Sequence, residues 1–123
     1  MSNKYFEIQK KDFYTLITIL ADKLDFHIAP TLKSELVLIA GNGEKYIIID
    51  LANVKYCDSA GLTTILVAQR LTKNAKGMLV IANLQKPVER LINISQLTNI
   101  FNIADSLEEA EAMLKLHINK KQS

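Results

Sequence analysis

The sequence holds little that would cross-link it, ligate a metal or anchor it in a bilayer. Cys57 is the one cysteine in 123 residues. No internal disulfide can form, and neither a four-cysteine nor a two-cysteine, two-histidine zinc site can be built. Bases are scarce too, since His27 and His117 are the two histidines. No apolar run approaches the roughly 18 residues of a transmembrane helix. The start, Met1-Ser2-Asn3-Lys4-Tyr5-Phe6-Glu7, lacks a signal-peptide core. Lys+Arg 15 against Asp+Glu 13 leaves a formal charge of +2, too small and scattered to argue for nucleic acid. Paired carboxylates, metal-ligand spacings, basic-aromatic stripes, repeats and low-complexity tracts are all missing. The expectation is a cytoplasmic protein of a reducing compartment, with no cofactor, no nucleic-acid partner and no membrane insertion.

What is present is an ordinary globular composition, 49% hydrophobic and 23% charged, of a length that makes one domain. Lys4 to Lys10 alternates polar and apolar residues and reads as an edge strand. Lys10-Lys11-Asp12 is a turn, and Phe13 to Leu20 is β-branched and aromatic, a hairpin partner. Ala21 to His27 reads as a loop. Pro30 opens a helix through Ala40, with Leu32, Leu36 and Ile39 on one face, stopped by Gly41-Asn42-Gly43. The continuous apolar run Tyr46 to Leu51 suits a parallel strand covered on both faces. A loop over Ala52 to Asp58 leads into a helix from Ser59 to Asn74. Met78 to Ala82 is a further buried strand. Pro87 opens a helix to about Ile94, and Phe101 to Ala104 is a brief last strand. Ser106-Leu107-Glu108-Glu109 is a capping box before a helix running to about His117. Residues 1–118 are expected to form the domain, with 119–123 a disordered polar tail. The fold class is α/β: a mixed, mostly parallel sheet of four to five strands covered by about four helices.

Two places can carry chemistry. Val54-Lys55-Tyr56-Cys57-Asp58-Ser59-Ala60-Gly61-Leu62 joins a buried strand to a helix. Ser59 and Asp58 suit a helix N-cap, where their oxygens accept the first amides. The same position suits a phosphoacceptor, because a phosphate there meets free N–H donors and the positive end of the helix dipole. A nucleophilic serine hydrolase is a weaker alternative. Cys57-Asp58-Ser59-Ala60-Gly61 lacks the first glycine of a Gly-x-Ser-x-Gly elbow, and His27 is the only base placed to approach. The second place is Asp22-Lys23-Leu24-Asp25, beyond the end of a strand, where sites gather in open α/β sheets. Asp25 is either a turn or helix-entry residue or a neighbour of Ser59. Lys33, Glu35, Lys45, Lys73 and Lys76 read as solvated charges, and Cys57 as a small, half-buried residue. Leu62, Ile65 and Leu66 form one stripe of the helix after Ser59, while Val67 and Leu71 point elsewhere. The second stripe packs on a neighbouring helix or binds a partner.

From Ile47-Ile48-Ile49-Asp50-Leu51 through Cys57-Asp58-Ser59-Ala60-Gly61-Leu62, the sequence resembles the STAS domain, the fold of bacterial anti-sigma factor antagonists. The Leu24-Asp25 pair, Pro87-Val88-Glu89-Arg90-Leu91-Ile92 and Ser106-Leu107-Glu108-Glu109-Ala110 extend the likeness over roughly Phe6 to Leu116. The resemblance implies a partner-switching cycle. An anti-sigma factor Ser/Thr kinase binds the unphosphorylated domain, releasing a sigma factor, and phosphorylates Ser59. A Ser/Thr phosphatase reverses the modification. Asp25, Asp58, Ser59, Ala60, Gly61 and Leu62 would form the partner-binding surface, with Gly61 letting the partner's backbone approach. The domain itself would be no enzyme. A stressosome subunit or a lipid-transport ABC component is the alternative within the family. Asp22 and Gln96 stand where the family commonly has glycine, which implies an altered loop at the first and a modified helix-to-strand connection at the second.

Overall fold

Ile47, Ile48 and Ile49 alternate between the two faces of one strand, yet all three are buried. A strand can bury both faces only inside a layered structure, and that is what surrounds them. The computed structural model describes residues 3–122. The main sheet comprises β1 (Phe6–Lys10), β2 (Thr15–Ile19), β4 (Tyr46–Asp50), β6 (Met78–Ala82) and β7 (Asn102–Ala104), in the order β1-β2-β4-β6-β7. The β1–β2 hairpin is antiparallel, and every other neighbour pair is parallel.

Register sorts the side chains into two cores. Ile17, Ile49 and Ile81 lie side by side on one face. They join Leu32 and Leu36 of α1 (Ala29–Gly41), Leu62 and Ile65 of α2 (Ser59–Asn74), and Val88 and Ile92 of α3 (Lys86–Ile94). Leu16, Ile48 and Val80 lie side by side on the other face. Ala110 and Leu114 of α4 (Leu107–Gln122) cover them. The helices α1 and α2 also pack on each other. This is the expected α/β class: a five-stranded, mostly parallel sheet and four helices among the described residues. Leu32, Leu36 and Ile39 share the buried face of α1 as the periodicity predicts.

Three details differ from the sequence reading. The segments read as plain loops hold β3 (Lys23–Leu24) and β5 (Tyr56–Cys57), which pair in parallel as a separate two-stranded sheet. In the capping box, the Ser106 hydroxyl accepts the Glu109 amide at 3.1 Å, but Glu109 reaches the Asp105 amide, one residue before the N-cap. The helix α4 continues to Gln122. Residues 119–122 therefore prolong it where a disordered tail is expected, and Ser123 lies outside the described residues.

The ends of α1, α2 and α3 share one geometry. In each, the amide two residues past the C-cap bonds the carbonyl five back: Glu44 to Ile39, Gly77 to Thr72, Leu97 to Ile92. The residue between adopts positive φ: Gly43 at 90°, Lys76 at 64°, Gln96 at 61°. This is the Schellman motif, which closes the orphan carbonyls of a helix end. The connection at Gln96 is thus of the ordinary kind and not modified, as the missing glycine implies. Gln96 simply occupies the left-handed position. Asp22 is absent from the positive-φ residues, so nothing in its own backbone calls for glycine.

Candidate functional site

The β3–β5 sheet sets up the site. The Asp22 carbonyl accepts the amides of Lys55 and Tyr56 at 2.8 and 3.2 Å, and the Leu24 carbonyl accepts that of Asp58 at 3.3 Å. These bonds place the turn before α2 directly beside the loop before α1. The side chain of Asp58 then completes the joint. It is the N-cap of α2, in extended conformation. Its Oδ1 accepts the Gly61 amide at 2.9 Å and its Oδ2 accepts the Phe26 amide at 3.1 Å. One carboxylate thus satisfies a helix-start donor and a donor from the other loop.

Gly61 sits where the two loops meet. A Cβ there would lie 2.1 Å from the Leu24 carbonyl oxygen and 3.0 Å from the Cys57 Sγ. The missing side chain accommodates the domain's own backbone, not an approaching partner. Gly61 and Leu62 are both buried, Leu62 in the main core. They support the surface from beneath and do not line it. Cys57 is buried as well, its Sγ donating weakly to the Asp58 carbonyl at 3.4 Å. Burial, reinforced by the Asp58 carboxylate, pushes its thiol up to about 12.

Ser59 is the first residue of α2 and is exposed. Its carbonyl accepts the Thr63 hydroxyl at 2.8 Å. No hydrogen bond engages its own hydroxyl among the described residues. The amides of Ser59 and Ala60 belong to the first turn and have no intrahelical acceptor. Beside them is an open cleft of about 380 Å³, lined by Ala29, Pro30, Lys33, Ser59, Ala60, Thr63 and Thr64. An accessible hydroxyl with two free amides beside it can receive an anionic group without any rearrangement of the fold.

Asp25 does not join Ser59. Its Oδ1 accepts the His27 amide at 3.1 Å, its Oδ2 lies 3.5 Å from His27 Nδ1, and its carbonyl accepts the amides of Ile28 and Ala29. It is the turn residue that leads into α1. Desolvation pushes its carboxyl up, but the bonds from His27 and Ile28 outweigh that and hold it below its ordinary value. Asp25 and His27 line a different cleft, with Tyr5 and Lys23. The His27 ring stacks on Phe26 at 4.1 Å between centroids. No hydrogen bond links either residue to Ser59 among the described residues, so the acid, base and nucleophile of a hydrolase are not assembled.

Three site residues escape the sequence reading. Phe26 is exposed and pinned through its amide, Tyr56 is exposed on β5, and Lys33 shares the Ser59 cleft. Lys33 carries a signal in its position alone, one turn into the helix that follows the Asp25 turn. No cluster of three His, Cys, Asp or Glu able to hold a metal occurs among the described residues. No helix there is long and apolar enough to cross a membrane.

A helix-covered mixed sheet with an exposed serine opening its second helix defines the class. The STAS domain model matches residues 5–110, and the chain belongs to that family. It is 32% identical to BtrV of Bordetella bronchiseptica over 100 residues, 81% of this chain and 86% of that protein. Over 89 residues it is 33% identical to the anti-sigma-B factor antagonist of Bacillus subtilis, covering 72% and 81% of the two chains. The crystal structure of an anti-sigma factor antagonist from Mycobacterium paratuberculosis matches at a TM-score of 0.79 and 17% identity, over 89% of this chain and 92% of that one.

Proposed function

We propose that this chain is an anti-sigma factor antagonist switched by phosphorylation of Ser59. In the neutral form, the surface carrying Ser59, Ala60 and the exposed parts of Asp25 and Asp58 docks on an anti-sigma factor that is also a Ser/Thr kinase. Docking displaces a sigma factor. The kinase then transfers the γ-phosphoryl group of ATP to the Ser59 oxygen: the new O–P bond forms, the bond to ADP breaks, and the hydroxyl proton leaves. The added charge, about −1.5 to −2, has to be desolvated in any interface that re-forms there. A loss of about 3 kcal/mol weakens binding more than a hundredfold. A Ser/Thr phosphatase in the cytoplasm restores the neutral form. The domain performs no catalysis itself.

The observation that carries this reading is the exposure of Ser59 at the first position of α2, while Asp58 and Gly61 on either side are fixed by internal contacts. The names of the curated relatives support it as well. The test is incubation with the cognate anti-sigma kinase and ATP. One phosphate is expected, on Ser59, and none on Ser59→Ala. Labelling at another residue, or none on the parent, overturns the assignment. Ser59→Asp should weaken kinase binding at least tenfold; unchanged affinity would overturn the charge mechanism.

A further inference from the structure

The cleft beside Ser59 contains one charged side chain, and it is a cation. Lys33 of α1 lines it together with Ser59 and Ala60 of the first turn of α2, and Pro30, Thr63 and Thr64 complete the walls. No carboxylate forms an ion pair with Lys33 among the described residues. The neighbouring acids are committed elsewhere: Asp58 to the amides of Gly61 and Phe26, and Asp25 to His27 in a separate cleft. We propose that Lys33 is the counter-ion of a phosphoryl group carried on Ser59, holding it down over the cleft. The proposal rests on Ser59 being the acceptor, and it adds a positioning residue that the reading above does not contain.

The chemistry is simple. A phosphoryl group on Ser59 is met by the free amides of the first turn on one side and by an ammonium on a flexible stem on the other. The pair favours the dianion, and therefore lowers the second ionisation of the phosphate. A phosphoryl group drawn toward Lys33 also occupies the part of the cleft between them. Modification then narrows the cleft on the docking face in addition to adding charge. Lys33 in turn ceases to be a cation available to an acidic partner.

The test installs phosphoserine at position 59 during translation, without any kinase, and follows the phosphorus resonance against pH. With the pair exposed, Lys33→Met should raise the second ionisation by roughly half a pH unit. Lys33→Arg should keep it low. Lys73→Met, at the far end of α2, controls for net charge and should leave it unchanged. Thermal unfolding of the same samples shows whether the fold is intact, and methionine keeps a side chain of similar length. Superimposable titrations of the parent and Lys33→Met overturn the proposal, as does an equal shift from Lys73→Met. Because the phosphoserine is installed during translation, this result is independent of whether a kinase uses Ser59. A chain that no kinase modifies would sink the switching cycle and leave the ion pair standing or falling on its own titration.

Discussion

Asp58 holds Phe26. The carboxylate that caps α2 also accepts the backbone amide of a residue 32 positions earlier, at 3.1 Å. The start of the second helix and the approach to the first are thereby one structure. Phe26 is exposed beside this joint, its side chain resting on the His27 ring.

Asp58→Ala removes both acceptors at once. It should destabilise the domain by about 2 kcal/mol, the upper range for a lost cap, since two amides lose their partner. Amide exchange at Phe26 and Gly61 should quicken together. Asp58→Asn keeps one side-chain oxygen and should fall between. Quickening at Gly61 alone would mean that the carboxylate does not couple the loops.

Gly61→Ala places a methyl group 2.1 Å from the Leu24 carbonyl oxygen. Backbone must move, so the cost should reach about 3 kcal/mol, the high end for overpacking. Gly41 is the contrast. It has nothing within 4 Å of a built Cβ and lies at the end of α1 without positive φ. Gly41→Ala should therefore stabilise by roughly 0.5 to 1 kcal/mol. Urea midpoints of the two variants should move in opposite directions.

Gln96→Gly should stabilise the domain by roughly 1 kcal/mol. A side chain at φ 61° carries a steric cost that glycine avoids. A shift of the thermal midpoint upward, with unchanged hydrogen bonding of Leu97 to Ile92, is the outcome to look for. A downward shift would mean that the glutamine side chain contributes something its backbone conformation does not reveal.

The Cys57 thiol is pushed up to about 12 from its ordinary value of 9.0. At pH 8, thiol reagents should label the folded protein roughly a thousandfold more slowly than the urea-unfolded chain. The sign of the pH effect follows. The folded state keeps the proton that the unfolded chain gives up, so this contribution to stability is complete below about pH 9 and is lost as pH rises toward 12. Urea midpoints measured between pH 8 and pH 10 should fall more steeply for the parent than for Cys57→Ala.

The main sheet was legible because its signals are strong. Three consecutive isoleucines in Tyr46–Asp50 announce a strand buried on two faces, and both faces are filled. Asp58-Ser59 announces a helix start, and α2 begins there. The strands β3 and β5 were not legible, because two residues carry no period. The reason for Gly61 lies with them, since α2 comes up against the Leu24 carbonyl of β3 there. Asp25 is likewise held by its own turn, which claims both its carboxylate oxygens through contacts that no spacing in the sequence announces. At Gln96 the departure from glycine concealed a conformation that the chain adopts all the same.

The two-stranded pairing of Lys23–Leu24 with Tyr56–Cys57 has a wider meaning. Leu24 and Cys57 anchor that small sheet in the same core as the five strands, while Lys23 and Tyr56 beside them face outward. The platform of the serine is thus riveted to the interior through one residue of each short strand, and its outward face is left to solvent.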